Sequence, residues 1–207
     1  CAITSARCSR RAATGETCEP EMRQLSAGAG FACGLDQLRR AWCWGGNEAG
    51  QLGSGTTTDS SVPVTVPGQN STAVGAAAVA AGSLSTCALL DDGTARCWGR
   101  NAEGQLGDGS LVGSLSPVDV SGLSGATSLD VGLFNACATL SDGAVRCWGS
   151  NQTGQLGNGT TSPSPIPVAV PVIAAAIDAA SIGTSPRVAG LTFGRCRPAR
   201  TPAGTSR

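Results

Sequence analysis

The chain has 207 residues, 41% of them hydrophobic, and a formal net charge of zero in which 14 arginines balance 14 acidic residues. It contains no His, Lys or Tyr, and the absence of His excludes nucleophilic triads of the Ser-His-Asp or Cys-His type. No run of 18 apolar residues occurs, so we expect no membrane span.

The charge is distributed unevenly, and it divides the chain into three segments. Residues 1–25, a cysteine-containing N-terminal segment, hold four Arg and three Glu; residues 26–173 hold five Arg and ten acidic residues; residues 174–207 hold five Arg and one Asp. Nucleic-acid binding requires a basic face with interleaved aromatic side chains, and the long central segment is acidic. We therefore expect no nucleic-acid partner. The start at Cys1 predicts a processed mature form or a fragment.

A hairpin unit with two cysteines and a tryptophan occurs three times in the central segment. The copies read CGLDQLRRAWCWGGNEAGQLGSG from Cys33, CALLDDGTARCWGRNAEGQLGDG from Cys87 and CATLSDGAVRCWGSNQTGQLGNG from Cys137. The tryptophan after the second cysteine recurs at intervals of 54 and 50 residues, at Trp44, Trp98 and Trp148. A period near 50 with strand-like content is typical of β-propeller blades.

Each unit divides into four short strands. In the second copy the strand candidates are residues 79–81, 87–90, 94–98 and 117–120, and residues 126–131 begin the next unit. A glycine-punctuated loop separates the third strand from the fourth. The sequence therefore predicts an all-β fold with three well-formed four-stranded blades over residues 26–173, stacked face to face because strands of this length cannot bury a core alone.

The turn of the second hairpin predicts the register of its strands. Asp91-Asp92-Gly93 forms a three-residue loop with the glycine in the left-handed conformation, which sets Cys87 opposite Cys97. The third hairpin sets Cys137 opposite Cys147 by the same argument. Opposed residues of an antiparallel pair have Cα atoms about 4.5–5.5 Å apart. A disulfide usually spans about 4.4–6.8 Å between Cα atoms, so the register suits a cross-strand bridge.

We therefore predict one disulfide in each hairpin, joining Cys33 to Cys43, Cys87 to Cys97 and Cys137 to Cys147. The alternatives are a zinc site and free thiols. Structural zinc usually takes ligands two to four residues apart, often including His, whereas the spacing here is ten and His is absent. The first copy has the same cysteine spacing but no glycine in its Gln37-Leu38-Arg39 turn, so its loop type is left open.

Ten cysteines in a chain of this length favour an oxidising compartment, and we expect an extracellular, cell-surface or periplasmic location. The pairing of the other four cysteines cannot be deduced; they are Cys1, Cys8, Cys18 and Cys196.

Residues 174–207 predict either a degenerate fourth repeat or a slipped reading frame, and they end in an Arg/Pro-rich disordered tail. Arg195-Cys196 follows Cys147 at about the repeat period, but Pro186 stands where the first cysteine is expected, and no Trp-Gly follows. Closed propellers typically have about four to eight blades. We therefore expect a partial or open ring, which is part of a larger protein, an open arc, or one protomer of an assembled ring.

The pattern C-A-L-x-x-D-G-x-x-R-C-W-G-x-N-x-x-G-Q-L-G-x-G, followed by P-x-x-V, resembles the repeat of the regulator of chromosome condensation family. It is most similar to the cysteine-bearing version found in secreted bacterial proteins. In that family the repeats form a seven-bladed propeller. Its founding member is a guanine-nucleotide exchange factor that docks on chromatin, and other members bind different proteins, including a bacterial inhibitor of β-lactamases. The resemblance implies the fold and leaves the function open, and we expect no exchange activity.

The remaining motifs predict structural roles. No helix signal follows the Gly-Gln-Leu-Gly segments, so they are turns and not phosphate-binding loops. The three repeated tryptophans, Trp44, Trp98 and Trp148, are expected to pack between blades. Trp42 has no counterpart in the other copies and is a candidate exposed aromatic residue.

The sequence shows no catalytic, cofactor-binding or metal-ligating set of residues, and the binding residues stay unknown. We expect a non-catalytic extracytoplasmic module, without cofactor, whose loops bind a protein or a glycan. The alternative is a structural or cell-surface element of a larger multidomain protein without a dedicated ligand. Self-association, or completion by further repeats, is also expected of an open ring.

Overall fold

The structure is a computed structural model that describes residues 21–68 and 75–173, and these residues form three four-stranded antiparallel sheets. The first sheet contains β1 (Met22–Ala27), β2 (Phe31–Asp36), β3 (Ala41–Gly45) and β4 (Ser60–Thr65). The second contains β5 (Ala76–Ala81), β6 (Ser85–Leu90), β7 (Ala95–Gly99) and β8 (Ser114–Asp119). The third contains β9 (Ala126–Val131), β10 (Asn135–Leu140), β11 (Ala144–Gly149) and β12 (Ser164–Ile173). The strands of each sheet are hydrogen-bonded in chain order, as in a propeller blade.

The predicted all-β propeller fold and the hairpin register are confirmed. Cys87 lies opposite Cys97, and Cys137 lies opposite Cys147. Gly93 and Gly143 adopt φ values of 77° and 82°, the left-handed conformation that their turns require.

The first hairpin reaches the same register with a different turn. Arg39 occupies the left-handed position with a φ of 62°, among the described residues the only one other than glycine to do so. The buried carboxylate of Asp36 supports the turn, because its Oδ1 accepts hydrogen bonds from the backbone N–H groups of Leu38 and Arg40, both at 2.9 Å. An aspartate at the end of β2 thus replaces the glycine of the other copies.

The fourth strand of each sheet begins earlier than residues 117–120 of the second copy would suggest. In that copy Gly99 pairs with Ser114, and an irregularity separates this pair from the next one, Cys97 with Val118. Gly45 and Gly149 make the equivalent pairs in the other two sheets. Because of this bulge, β8 begins opposite the glycine that follows Trp98, and the strand includes the three residues before Pro117.

The sheets pack face to face through mixed clusters of buried side chains. The cluster between the first two sheets includes Leu35, Leu52 and the cysteines of the first hairpin on one side, with Val79 and Trp98 on the other. The cluster between the second and third sheets repeats this arrangement one unit later. Each sheet therefore has a forward face, directed towards the following unit, and a rear face, directed towards the preceding unit.

The structure joins the six hairpin cysteines as three cross-strand pairs, Cys33–Cys43, Cys87–Cys97 and Cys137–Cys147, with Cα–Cα distances of 4.0–4.1 Å. The pairs lie on the forward faces. The sulfur of Cys33 is 3.9 Å from the hydroxyl oxygen of Thr86 in the next sheet. Besides closing a hairpin, a disulfide in this position contributes to the packing between blades.

Some sequence predictions lie outside the described residues. These are the pairing of Cys1, Cys8, Cys18 and Cys196, and the degenerate fourth repeat with its tail at 174–207. In the part of the chain that is described, none of the elements is a helix long and apolar enough to cross a membrane.

Candidate functional site

Antiparallel strand order places two kinds of loop at the same edge of every sheet, and we call this edge the long-loop face. The short loops join the first strand to the second and comprise residues 28–30, 82–84 and 132–134. The long loops join the third strand to the fourth and comprise residues 46–59, 100–113 and 150–163. Residues that differ among the three copies are therefore presented side by side on one surface.

A buried asparagine holds each long loop in shape. The Oδ1 atom of Asn101 accepts a hydrogen bond from the backbone N–H of Leu106 at 2.9 Å, and its Nδ2 atom donates to the carbonyls of Ser110 and Val112, both at 3.1 Å. Asn47 and Asn151 make the corresponding bonds in their own loops. The Gly-Gln-Leu-Gly segments are thus parts of a rigid scaffold.

The long loops also reach the neighbouring sheet. The indole N–H of Trp98 donates to the backbone carbonyl of Gln51 at 2.9 Å, and the hydroxyl of Thr86 donates to the same carbonyl at 2.8 Å. A Cβ at Gly53 would lie 2.7 Å from the indole nitrogen of Trp98, so the close approach requires glycine. The indole of Trp148 makes the equivalent bond to Gln105 at 3.0 Å.

The three repeated tryptophans therefore occupy different environments. Trp98 and Trp148 are fully buried between sheets. Trp44 is half-buried, because no described sheet precedes the first one.

A shallow apolar cavity of about 320 Å³ lies where the first strands of the three sheets end at the long-loop face. Its lining is small and apolar, and it comprises Ala27, Gly28, Ala29, Ala81, Gly82, Ser83, Val131, Gly132 and Leu133. A volume of this size accommodates one or two apolar side chains rather than a large cofactor.

Exposed apolar side chains continue from the cavity onto the second and third sheets. Leu133 is 55% exposed, and Phe134 next to it is partly exposed under the guanidinium of Arg100, whose carbon lies 5.4 Å from the ring centroid. In the same long loop as Arg100, Leu111 and Val112 are 60% and 74% exposed. We call these five residues the apolar rim. An apolar surface around a fixed cation suits the side chains of a protein partner.

The apolar rim was not predicted from the sequence. The third short loop carries Leu133-Phe134 where the first has Ala29-Gly30, and Arg100 stands where the other long loops have Gly46 and Ser150. These residues can be found by comparing the three copies at positions outside the motif. A residue that differs from its counterparts in the other copies is not required for the packing that all the repeats share.

Among the described residues, no group of three or more His, Cys, Asp or Glu side chains is arranged to hold a metal ion. The acidic side chains of the second hairpin turn, Asp91 and Asp92, lie at the opposite edge of the sheet, where Asp91 forms an exposed ion pair with Arg39 of the first sheet.

Asp36, also at the opposite edge, is the buried acidic residue of the first hairpin. Burial raises the pKa of its carboxyl, but hydrogen bonds from the Arg40 backbone N–H, the Trp42 indole N–H at 3.1 Å and the Arg40 guanidinium at 2.7 Å outweigh burial and lower the pKa below its ordinary value of 3.8. Trp42, expected as an exposed aromatic residue, is half-buried in this arrangement, and Arg40 lies over its ring. These hydrogen bonds stabilise the turn of the first hairpin, which lies away from the long-loop face.

We predict that Asp36→Asn lowers the free energy of unfolding at neutral pH by about 2 kcal/mol, because the NH2 group that replaces Oδ2 cannot accept the hydrogen bonds from the Trp42 indole and the Arg40 guanidinium. A folded-state pKa below the unfolded value means that the contribution of Asp36 is full above about pH 3.8 and is lost as the pH falls through the folded value. Urea unfolding of both proteins from pH 7 to pH 2.5 measures this, and the difference should shrink at the acidic end. The control is Asp119→Asn, which removes only an exposed ion pair with Arg96. A difference independent of pH would contradict the prediction.

Comparison with known proteins gives repeated matches to one family. Two family models, both described as the regulator of chromosome condensation (RCC1) repeat, match the chain three times each. One matches residues 22–51, 76–105 and 126–155, and the other matches residues 40–89, 92–133 and 142–184.

Individual relatives are similar over part of their length. The mitochondrial RCC1 domain-containing protein RUG3 of Arabidopsis thaliana is 29% identical over 100 residues, which are 48% of this chain and 22% of the relative. Human WBSCR16 has a similar structure, with a TM-score of 0.67 at 22% identity over 75% of this chain and 39% of that one. Yeast RCC1 (Prp20), solved with bound Kap60, has a TM-score of 0.66 at 19% identity over 72% of this chain and 37% of that one. The chain thus spans about a fifth of RUG3 and less than two fifths of either solved chain.

Proposed function

Because the chain belongs to the regulator of chromosome condensation (RCC1) repeat family, we propose that it is a non-catalytic protein-binding module whose contact surface is the apolar rim of the long-loop face. The observation that supports this most directly is the exposure of four apolar side chains in the two loops that carry Arg100 and its ring partner Phe134. Contiguous exposed apolar surface is rare on soluble domains and marks sites of interaction.

The geometry favours a protein over a glycan. Leu111, Val112 and Leu133 are aliphatic and offer no hydrogen bonds to sugar hydroxyls, whereas they can bury against the apolar side chains of a polypeptide. The guanidinium of Arg100 adds a donor that suits a carboxylate or backbone carbonyl of the same partner. The long loops are braced by their buried asparagines, so the surface is preformed and loses little conformational entropy on binding.

A relative offers a parallel for protein binding. The yeast RCC1 (Prp20) structure contains bound Kap60. Its similarity to this chain extends to the fold, and we propose protein binding as the activity in common without proposing the same partner. We propose that the rim determines which partner binds, because its residues differ from copy to copy within this chain.

We further propose that the module functions outside the cytoplasm, at the cell surface, in the periplasm or in the extracellular medium. The three buried cross-strand disulfides support this proposal, because such bonds persist in oxidising compartments and are rare in the cytosol. In this respect the chain is similar to the secreted bacterial version of the repeat.

The experiment compares capture by three forms of the oxidised chain: the wild type, Leu133→Ser/Phe134→Ser, and the control Leu38→Ser. Leu38 is 51% exposed in a turn at the opposite edge, so its substitution removes an exposed apolar side chain away from the rim. We expect at least one protein of the extracytoplasmic fraction to bind the wild type and the control, and to bind the double variant about tenfold or more weakly.

Equal capture by all three forms would show that the rim is not the binding surface. Binding of the same three forms to a glycan array tests the other class of ligand, and rim-dependent binding of glycans without a protein would overturn the assignment. Absence of any rim-dependent ligand would favour the alternative of a structural or cell-surface element.

A further inference from the structure

The apolar cavity and the apolar rim of the long-loop face form one continuous surface. Leu133 belongs to both, because it lines the cavity and is 55% exposed beside Phe134. Backbone contacts between short loops hold the cavity walls in place: the N–H of Ala29 donates to the Gly82 carbonyl at 3.2 Å. A Cβ at Gly82 would lie 2.4 Å from the carbonyl oxygen of Gly132, so this close approach requires glycine. The cavity is therefore preformed, and it opens directly beside the rim.

The rim carries a cation that is available to a partner. Arg100 is the only arginine in the short and long loops of the long-loop face, and the chain contains no lysine. Its backbone N–H donates to the Leu84 carbonyl at 2.9 Å, and its half-buried side chain lies over the Phe134 ring. Three ion pairs join arginines to aspartates elsewhere in the described residues, but none of them involves Arg100. Its guanidinium can therefore bind a carboxylate of another molecule.

The distance from the cavity to this guanidinium indicates how far apart the two groups of a ligand must be. Leu133 and Phe134 are consecutive, and the guanidinium carbon of Arg100 lies 5.4 Å from the Phe134 ring centroid. The cavity wall and the guanidinium are thus separated by a distance on the order of 10 Å, which about three residues of extended chain span. Side chains two positions apart on an extended chain point to the same side. An apolar residue and a carboxylate at that spacing therefore reach both places.

The other charges of the long loops limit which segments fit. Four carboxylates lie in the first two long loops: Glu48, Asp59, Glu103 and Asp108. Two of them support the loops, since Asp59 and Asp108 accept hydrogen bonds from backbone N–H groups at 2.8 Å and 2.9 Å. Like charges brought together in an interface weaken binding and exclude wrong partners. A ligand with one carboxylate directed at Arg100 is therefore favoured over a run of acidic residues.

We propose that the partner contributes an extended segment that places an apolar side chain in the cavity and a single carboxylate, two residues away, on Arg100. This inference rests on the proposed function, and it adds the chemistry of the ligand. The apolar side chain leaves water when it enters the cavity. The carboxylate accepts charge-assisted hydrogen bonds from the guanidinium, which are about twice as strong as neutral ones. An anchor in a pocket beside a directed polar contact is the usual arrangement of a binding hot spot.

The test begins with selection of linear peptides from a random displayed library on the oxidised full chain. We expect the selected peptides to share an apolar residue with one Asp or Glu two positions away, and to lack runs of acidic residues. Synthetic peptides then measure each contribution. Replacing the apolar residue by serine, or the acidic residue by its amide, should weaken binding about tenfold.

Substitutions in the chain separate the cavity from the cation. Ala29→Phe adds a ring at the exposed cavity wall, and Arg100→Glu reverses the charge; each should weaken binding about tenfold or more. A peptide with arginine in place of its acidic residue should bind Arg100→Glu more tightly than the original peptide does, because the charges are complementary again. The controls are Leu38→Phe and Arg23→Gln at the opposite edge, which should bind as the wild type does. Thermal unfolding establishes that every variant is folded.

The possible failures are distinguishable. Peptides that lose binding to Leu133→Ser/Phe134→Ser but not to Ala29→Phe or Arg100→Glu would keep the rim as the binding surface and reject this ligand. Peptides that bind all variants equally would reject both this ligand and the proposed function. A selection that enriches no peptide would reject a linear segment as the occupant of the cavity, while protein capture by the rim would still be judged by its own experiment.

Discussion

Replacing Trp98 by alanine is expected to lower the free energy of unfolding by about 3–5 kcal/mol, whereas the same change at Trp44 should cost far less. Both tryptophans belong to the same Cys-Trp-Gly motif, and they differ in what covers them. Trp98 is fully buried between two sheets, and its indole N–H is hydrogen-bonded to the Gln51 carbonyl. Its removal leaves a cavity in the middle of the stack, and the Gln51 carbonyl keeps only its hydrogen bond from the Thr86 hydroxyl.

The comparison is best made by urea unfolding of the oxidised chain, in which Trp44 is half-buried. Trp148→Ala serves as an internal check, because Trp148 is buried as fully as Trp98 and bonds to Gln105. Equal losses in the free energy of unfolding for the Trp44 and Trp98 variants would show that each tryptophan stabilises mainly its own sheet. Packing between blades would then not be its main role.

Much of the fold was predictable because local signals determine the register. The Asp-Asp-Gly turn of the second hairpin fixes which residues of β6 and β7 are opposed, and a single wrong step would have moved every side chain to the other face. The recurrence of the turn and of the cysteine spacing then extends the assignment from one blade to three.

The environment of each residue was less predictable, because it depends on which sheet lies against it. Trp44 and Trp98 have the same local sequence context, and only the position of their sheets in the stack distinguishes them. The turn at Arg39 shows another limit of prediction. A left-handed arginine is disfavoured by its local sterics, but hydrogen bonds from the backbone to the buried carboxylate of Asp36 stabilise this turn. The apolar rim combines residues of two sheets, so no single repeat contains it.

Removal of a disulfide is the second change for which we expect a large loss of stability. We expect Cys87→Ala/Cys97→Ala to lower the free energy of unfolding by about 3 kcal/mol through loop closure, since the bridge closes a loop of about 11 residues. This pair also packs in the cluster with Ala136, Ala138 and Trp148 of the next sheet. Losing two sulfur atoms from that interface should add about 1–2 kcal/mol.

The matched variant is Cys137→Ala/Cys147→Ala. Its hairpin has the same spacing, so the loop-closure effect is equal, but no described sheet packs on its face. Thermal and urea unfolding should therefore rank the second-sheet pair as the more costly one to remove. Peptide mapping without reductant must first show the three intra-hairpin pairs in the wild type; free thiols, or pairs between hairpins, would contradict the assignment itself. If the bridges are present and the two double variants lose equal stability, then the disulfides act only within their own hairpins, and the packing role inferred from the Cys33–Thr86 contact would have to be abandoned.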